Sequence, residues 1–551
     1  MSGSCVRPWT DTQPGARSAG DTGEGEATAA AAQAGVAPPV VSGGMRGEGF
    51  RPRRWLVGLW GWRADLTALG LGLFAALALP PLYVAPVLLV SLPGLLMLID
   101  AAPRPRVAAR RGWWFGFGLH LIGLYWITEA ILFEAARFWW LVPLAVPALA
   151  AVLAVFVGVA AWAARFARAG WPRAAALAGA WVLADLARQF IATGFPWNPL
   201  GSIWEFPGRV GDVLIQPAAW VSVHGLTLAT VLLALAPALG WRWRIAAVAG
   251  FCAWVVFGVV RLSQPVVAAP PLNVVLVQGN VAQGQKWDRA LVLSIFERYL
   301  RLTREGVTRA GDGPAVVVWP ETASPFLLAQ DVAARQDISQ AANGMPALIG
   351  AVRFDRDDRP RNSLFALEDT GTIVGVYDKW HLVPFGEYQP DWFPARIQVV
   401  PGNGFARGPG PRTLDIPGLP PVGPLICYEA IFPGQVVSEA HRPAWMVNIT
   451  NDAWFGNSTG PRQHLAAARL RAVEEGLPLL RAANTGISAA FDAYGHEIGR
   501  LGIGVAGTLV VQLPGALPAT PFARFGLAIP ALGAMIVLGS GLLMRRDSAI
   551  G

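Results

Sequence analysis

The sequence predicts a protein of two parts, a polytopic α-helical membrane domain of about eight transmembrane helices and an α/β sandwich. Composition is the first observation behind this prediction. Of the 551 residues, 54% are hydrophobic and only 15% are charged, whereas soluble domains carry about 25% charged residues. The second observation is that apolar regions at 55–262 and 523–544 flank a block of mixed composition at 265–520. The third is that arginines gather at the ends of the apolar runs, which is typical of membrane proteins.

The first 54 residues precede the apolar regions. They are rich in Gly, Ala, Thr and Ser and carry few large apolar side chains. Such a segment buries too little surface to offset the entropy lost on folding. We therefore predict a disordered N-terminal tail at 1–54.

Seven apolar segments precede the mixed block and an eighth follows it. A helix that spans a bilayer needs about 20 apolar residues. The segments lie at 65–81, 82–99, 112–133, 139–163, 174–190, 215–239, 243–261 and 523–544. The first two are short and are separated by Pro80-Pro81, so they form either a full hairpin or a half-inserted one.

The arginines predict how the helices are oriented. They fall in five clusters, at 51–54, 104–111, 165–173, 242–244 and 545–546. All five lie on one side of the membrane if all eight segments span it, and the positive-inside rule makes that side cytoplasmic. The tail at 545–551 is then cytoplasmic and the 265–520 block is extracytoplasmic. The net charge of +8 follows from these clusters, and without a basic stripe or a nucleic-acid fold signature we expect no nucleic-acid partner.

The 265–520 block alternates predicted strands with predicted helices. The strand candidates are rich in Val and Ile and are bounded by Gly, Pro, Asn and Asp. They lie at 272–278, 315–319, 347–352, 363–367, 373–377, 423–427, 445–449, 487–492 and 507–512. Helices are predicted at 290–304, 330–343 and 464–475. This mixture predicts an α/β sandwich whose sheets are covered by helices.

Three reactive side chains, Glu321, Lys379 and Cys427, each end or follow a strand candidate. One sheet edge can therefore present all three. A thiol has a pKa near 8.5 and needs help to ionise at neutral pH. A lysine favours the thiolate and stabilises an oxyanion, and a glutamate accepts the proton. Each residue alone also has an ordinary structural explanation, and it is their joint arrangement that favours a cysteine nucleophile.

Three motifs carry a resemblance to a known superfamily. Trp319-Pro320-Glu321, the run at 377–388 and Ile426-Cys427-Tyr428-Glu429 resemble the carbon–nitrogen hydrolase (nitrilase) superfamily. That superfamily uses a Glu-Lys-Cys triad on an αββα sandwich. The segment at 451–456 and the flanking membrane helices narrow the resemblance to the bacterial apolipoprotein N-acyltransferase family, so we expect a nitrilase-like catalytic domain at 265–520.

The resemblance implies roles for particular residues. Cys427 is the implied nucleophile, Glu321 the general base and Lys379 the cation that stabilises the oxyanion. Further positions that the family needs for activity fall on three residues: Glu387, Tyr428 and Glu429. An aromatic position at the family's substrate site falls on Trp287.

The resemblance also implies the reaction. Cys427 takes the sn-1 acyl chain of a phospholipid, typically phosphatidylethanolamine, as a thioester. The chain then passes to the α-amine of the diacylglyceryl-cysteine at the N-terminus of an apolipoprotein, the final step of lipoprotein maturation. Such an enzyme is a multi-pass protein of the bacterial cytoplasmic (inner) membrane with a periplasmic catalytic domain. Neither a metal nor a dissociable cofactor is expected, because no His/Cys cluster has the sequence spacing of metal ligands.

Two aromatic loops are candidates for a lipid gate, at 194–205 and 383–394. Trp197, Trp392 and Phe393 are their candidate lid or substrate-binding residues, because a mobile lid would admit acyl chains to Cys427. Aromatic residues at this depth also serve as interfacial anchors, so this alternative stays open. We expect His464 to be structural at a helix start.

Two other functions compete with the acyltransferase. A membrane-anchored nitrilase-type amidase acting on a small periplasmic amide would use the same triad and differ in its acyl acceptor, which is water. A transporter with an accessory domain would show inverted repeats and polar sites at the midplane of the membrane. The sequence shows no convincing repeat, and a transporter leaves the triad without a role.

Overall fold

The computed structural model describes residues 58–132, 138–266, 268–286, 288–391 and 404–544. The predicted disordered tail, the last seven residues and three predicted site residues lie outside the described residues. Those three are Trp287, Trp392 and Phe393.

The first half of the described chain is helical. Its helices are α1 Trp62–Ala75, α2 Leu88–Asp100, α3 Pro105–Gly123, α4 Ile127–Leu132, α5 Val142–Ala164, α6 Trp171–Phe190, α7 Arg209–Leu214, α8 Ala218–Leu235 and α9 Trp241–Leu262. Each of the first seven predicted apolar segments falls mainly on one of these helices. The third prediction, at 112–133, begins too late, because α3 starts within the arginine-rich stretch at 104–111.

Three helices of the described residues are long and apolar enough to cross a membrane: Trp139–Ala164, Ala218–Ala238 and Trp241–Leu262. Two shorter apolar helices lie at Ala85–Asp100 and Ala528–Leu543. The other predicted spans are shorter or more polar, since α1 has 14 residues and both α3 and α6 carry several charged side chains. The membrane character of the chain is thus supported, while eight crossings stay a prediction.

Small residues bring the membrane helices close together. A Cβ added at Gly112 of α3 would lie 2.4 Å from the Cβ of Ala161 on α5, and one at Gly72 of α1 would lie 2.0 Å from the Phe115 carbonyl oxygen. Membrane helices have little hydrophobic drive to associate with one another and rely on such close backbone packing. The glycines therefore fix α1, α3 and α5 as one bundle.

The mixed block contains two β-sheets. Its strands are β1 Asn273–Gln278, β2 Ala315–Val318, β3 Ala347–Phe354, β4 Pro360–Leu367, β5 Ile373–Asp378, β6 Val422–Ile426, β7 Trp445–Thr450, β8 Leu479–Ala483, β9 Ser488–Phe491, β10 Glu497–Leu501 and β11 Gly507–Gln512. One sheet has the order β11-β1-β2-β3-β4-β5 and the other β10-β9-β8-β7-β6.

Helices cover the outer face of each sheet. They are α10 Val292–Ala310 and α11 Val332–Ala341 on the six-stranded sheet and α12 Gly460–Glu475 on the five-stranded sheet. Alternation along β1 shows why the layers form, because Val274 and Leu276 enter the core between the sheets while Val275 and Val277 face the helices. The predicted αββα sandwich is confirmed.

Two strands were not predicted from the sequence, and one helix was predicted to start too late. β8 follows α12 after only three residues and carries a fully buried arginine, Arg481, so it lacks the apolar pattern of a core strand. β10 alternates half-buried and exposed residues and forms the edge of its sheet. The predicted helix at 464–475 begins at Gly460, with Pro461 in its first turn, where proline is tolerated.

The α/β domain sits directly on the membrane helices. Leu470 and Val473 of α12 pack with Ile215, Val223 and Trp254 of the membrane domain. After β11 the chain returns through α13 Pro521–Phe525 to α14 Ala528–Leu543, and α14 packs along α6. One face of α12 thus covers the five-stranded sheet and another contacts the membrane domain.

Candidate active site

The structure brings Glu321 and Lys379, both at strand ends, into direct contact. The Lys379 Nζ lies 3.1 Å from Glu321 Oε1 and 2.9 Å from Glu387 Oε1. Only 1% of the Lys379 side chain is exposed. A buried ammonium is tolerated only where carboxylates pair with it. The two glutamates predicted for the site therefore share one buried cation.

Two further donors fix the Glu321 carboxylate. Asn362 Nδ2 donates to Glu321 Oε1 at 2.7 Å and to Glu387 Oε1 at 3.0 Å. The Asn451 backbone N–H donates to Glu321 Oε2 at 2.9 Å. Burial alone would raise the pKa of Glu321, but the charges of Lys379 and Lys286 outweigh it and hold this pKa below its usual value. Glu321 is therefore ionised and able to accept a proton.

Lys379 remains charged for the complementary reason. Burial alone would lower its pKa, but the carboxylates of Glu321 and Glu387 raise it well above the usual value. A permanent cation at this position can stabilise negative charge that develops beside it during a reaction.

Cys427 opens a short 3-10 turn, Cys427–Ile431, which we call the Cys427 turn. Its backbone is left-handed, with φ 52°, a conformation that costs a non-glycine residue about 1–3 kcal/mol and recurs at functional sites. Burial raises the pKa of the thiol, the charge of Glu321 raises it further, and Lys379 opposes both. The resting group is therefore a thiol, and attack by sulfur requires a base to remove its proton.

Glu429 ties the Cys427 turn to the segment that carries Lys379. Its carboxylate accepts hydrogen bonds from the Tyr377 hydroxyl at 3.0 Å, the Trp380 N–H at 2.7 Å and the Ile426 N–H at 2.6 Å. Ile426 directly precedes Cys427, and Trp380 directly follows Lys379. Burial raises the pKa of Glu429 to about 7. One fully buried carboxylate thus sets the distance between the thiol and the cation.

Replacing Glu429 with Gln is expected to destabilise the protein by about 1–3 kcal/mol, because an amide NH₂ would face backbone donors and leave them unpaired. Chemical denaturation at pH 8, where the wild-type carboxyl is ionised, measures the change. Tyr377→Phe is the matched control, since it removes one donor and leaves the carboxylate in place. Equal stability of Glu429→Gln and wild type at pH 8 would contradict this role.

Tyr428 and Trp197 connect the site to the membrane domain. The Tyr428 hydroxyl donates to the Gly194 carbonyl oxygen at 2.9 Å. The Trp197 indole is buried and donates to Gln463 Oε1 on α12 at 2.8 Å. Its ring centroid lies 4.6 Å from that of Trp126. Both residues join membrane-domain loops to the α/β domain, and a lid role for Trp197 stays a prediction.

Lys286 is a site residue that the sequence reasoning missed. Its Nζ donates to the Glu321 carbonyl oxygen at 3.0 Å and also to the Thr322 hydroxyl. It is buried, and burial lowers its pKa to about 8 although Glu321 and Cys427 act in the opposite direction. One sequence signal pointed to it: among 44 basic residues, the only lysines are Lys286 and Lys379.

Replacing Lys286 with Met is expected to slow alkylation of Cys427 by iodoacetamide about tenfold at pH 7, because losing a nearby positive charge raises the pKa of a thiol. The difference should shrink at pH 9, since the lysine, with its pKa of about 8, has by then lost its charge in the wild type. Thr322→Val, which removes the hydroxyl that accepts from Lys286 without removing a charge, serves as the control. Equal rates for Lys286→Met and wild type at pH 7 would contradict this electrostatic role.

The fold also brings together three side chains of metal-ligand type, a cluster that sequence spacing did not predict. A ligand-type atom from each of Cys427, Asp452 and His464 lies within 4.8 Å of the other two. Such a set could hold a metal ion, but Asp452 Oδ2 already accepts from Arg481 at 2.6 Å, and His464 Nε2 faces the Cys427 carbonyl oxygen at 2.9 Å. The fit to a metal is therefore poor, and the expectation of no metal stays a prediction.

Comparison with known proteins matches each of the two parts of the chain to a family model. Residues 71–236 match the apolipoprotein N-acyltransferase N-terminal domain, and residues 273–520 match the carbon-nitrogen hydrolase family. The apolipoprotein N-acyltransferase of Rhodopseudomonas palustris is 38% identical over 519 residues, which cover 88% of this chain and 96% of the relative. That of Sinorhizobium medicae is 42% identical over 477 residues, covering 81% and 89%. Among solved structures, Nit3 of Saccharomyces cerevisiae, a nitrilase-superfamily protein, is 18% identical, covers 46% of this chain and 93% of its own, and has a TM-score of 0.35.

Proposed function

The chain belongs to the apolipoprotein N-acyltransferase family, and we propose that it moves an acyl chain from a phospholipid to a lipoprotein through Cys427. The donor is a phospholipid such as phosphatidylethanolamine, and the chain that moves is the one at sn-1. The acceptor is the N-terminal α-amine of a diacylglyceryl-cysteine. The observation that carries this proposal is the buried Glu321–Lys379 pair, which Glu429 links to the turn bearing Cys427.

In the first half-reaction, Glu321 removes the thiol proton and the sulfur of Cys427 attacks the ester carbonyl. An S–C bond forms, and the carbonyl oxygen gains the negative charge that Lys379 stabilises. The intermediate then expels the lysophospholipid alkoxide, which takes the proton back from Glu321. The acyl chain remains as a thioester on Cys427.

In the second half-reaction, the acceptor amine attacks the thioester carbonyl. Glu321 accepts a proton from the amine and passes it to the departing sulfur, which restores the thiol. A thiolate leaves more readily than an alkoxide, so the thioester suits aminolysis. Because water competes with the amine, the burial of Cys427, with 9% of the residue exposed, supports a transferase over a hydrolase.

The proposed topology follows from the helices and the arginines. We take all eight apolar segments to span the bacterial inner membrane, with the arginine clusters and the 545–551 tail in the cytoplasm and the catalytic domain in the periplasm. The bonds from Tyr428 and Trp197 to partners across the domain boundary support a catalytic domain held at the membrane surface. Trp287, Trp392 and Phe393 remain proposed substrate or lid residues.

A product assay tests the proposed function. Purified protein is incubated with phosphatidylethanolamine carrying a fluorescent sn-1 chain and a diacylglyceryl-cysteine peptide, and we expect fluorescence in the triacylated peptide. The matched control is the same peptide with an acetylated α-amine, which we expect to stay unlabelled. Fluorescent fatty acid as the sole product, with no labelled peptide, would contradict the transferase and favour the amidase-like hydrolase.

A further inference from the structure

The imidazole of His464 forms a hydrogen bond with the backbone of Cys427. His464 Nε2 lies 2.9 Å from the carbonyl oxygen of Cys427. A carbonyl oxygen carries no proton, so Nε2 must be the donor of this bond. The histidine comes from α12, 37 residues along the chain, and only 1% of it is exposed. Solvent therefore does not compete for the Cys427 carbonyl.

A second layer of side chains holds the imidazole. His464 Nδ1 lies 2.9 Å from Asp452 Oδ1 and 3.1 Å from Arg481 Nη2. Asp452 in turn accepts from Arg481 at 2.6 Å and from the Thr450 hydroxyl at 2.9 Å. All four side chains are buried. A buried network whose members are all paired is rigid, and it fixes the ring in one orientation.

This geometry argues against His464 as the base that activates Cys427. The Nε2 proton is committed to the Cys427 carbonyl, and Nδ1 is enclosed by Asp452 and Arg481. Burial and the charge of Arg481 also lower the pKa of His464, which favours the neutral ring that donates from Nε2. Glu321, which is ionised, is the proposed acceptor of the thiol proton.

The hydrogen bond from His464 helps to hold the Cys427 turn, whose backbone is strained. Cys427 has φ 52°, which an L-residue keeps only where its surroundings enforce it. Holding the carbonyl oxygen fixes the plane of the Cys427–Tyr428 peptide, since that peptide is planar. We infer that His464, supported by Asp452 and Arg481, is a positioning residue that holds Cys427 in its reactive conformation, an inference that rests on the proposed role of Cys427 as nucleophile.

The same helical turn also contacts the membrane domain. Gln463, next to His464 on α12, accepts from the Trp197 indole at 2.8 Å and donates to the Pro80 carbonyl oxygen at 3.1 Å. Consecutive residues of one rigid helix thus bind a membrane-domain loop and the carbonyl of the nucleophile. These contacts fix the position of Cys427 relative to the membrane domain.

A pair of variants tests the role of His464. His464→Leu removes the donor, and His464→Gln keeps an N–H donor on a side chain of similar reach. His464→Leu is expected to lower the rate of acyl-enzyme formation from phosphatidylethanolamine about 10- to 100-fold, which is the scale expected for a misplaced reactive group. KM should change less than about twofold, because the lipid contacts remain. His464→Gln should recover at least about half of the rate that His464→Leu loses, measured on a logarithmic scale. The pH dependence of Cys427 alkylation should stay the same in Gln and wild type, since Glu321 supplies the base.

Three outcomes would overturn the inference: a His464→Leu rate within threefold of wild type, a Gln variant as slow as Leu, or a shifted pH dependence of alkylation in the Gln variant. Thermal unfolding of both variants is measured beside the rates, and a Leu variant that fails to fold leaves the comparison of Gln with wild type as the test. Failure of the proposed function looks different, because the wild-type protein itself would then form no acyl-enzyme.

Discussion

Replacing Cys427 with Ala is expected to abolish both half-reactions while leaving the fold intact. Alanine has no atom that can carry the acyl chain, so acyl-enzyme formation should fall to the uncatalysed background. The stability change should stay within about 2 kcal/mol, because Ala and Cys meet a similar penalty at positive φ and the deleted sulfur is one small buried atom. Intact mass after incubation with phosphatidylethanolamine measures the first effect, and thermal unfolding measures the second.

Cys252 provides the matched control for this experiment. It is the exposed free cysteine of α9, and Cys252→Ala should acylate at the wild-type rate. Acylation of the Cys427→Ala protein would show that another residue carries the acyl chain, and the assignment of the nucleophile would be wrong.

Replacing Glu321 with Gln is expected to slow acyl-enzyme formation about 10³-fold, within the range of about 10²–10⁴ for the loss of a general base. The amide is nearly isosteric with the carboxylate but cannot accept the thiol proton. The thiol, whose pKa burial raises, would then have to ionise unaided. Single-turnover kinetics with phosphatidylethanolamine measure the change.

Glu387→Gln is the matched control, because Glu387 contacts the same two side chains, Lys379 and Asn362, at similar distances. Like Glu321→Gln, this change removes one of the two carboxylate charges beside Lys379, but it leaves the base in place. We therefore expect the loss in the rate of acyl-enzyme formation to be at least about tenfold smaller. Equal losses in the two variants would mean that both glutamates act only through the charge of Lys379, and the role of Glu321 as base would be contradicted.

Much of the fold and of the candidate site was predictable from the sequence, for physical reasons that particular residues illustrate. Glu321, Lys379 and Cys427 each end or follow a strand candidate, which marked all three as candidates for one site. The expectation that one sheet edge presents all three was wrong, because Glu321 and Lys379 follow β2 and β5 of the six-stranded sheet whereas Cys427 follows β6 of the five-stranded sheet. The alternation of strand candidates with helical stretches made the layered sandwich predictable. The apolar segments located the helices. Within the described ranges, length and composition mark only three of these helices as spans, because others are short, as α1 is, or polar, as α3 and α6 are.

The remaining features depend on contacts between distant parts of the chain. Lys286 donates to the Glu321 carbonyl oxygen from 35 residues away in the sequence, and no local sequence pattern predicts that contact. His464 was predicted to be structural, and its bond to the Cys427 carbonyl oxygen appears only when α12 packs on its sheet. β8 was missed because its buried Arg481 is paired with Asp452, which makes an arginine acceptable in a core strand.

The most direct test of the central claim is the intact mass of the purified protein after incubation with phosphatidylethanolamine and without acceptor. We expect one added acyl chain, absent from Cys427→Ala and released by hydroxylamine, as a thioester requires. Adding a diacylglyceryl-cysteine peptide should discharge this species far faster than buffer does and yield the triacylated peptide. An adduct that persists on Cys427→Ala, or one that the peptide discharges no faster than water does, would contradict an acyl transfer through Cys427.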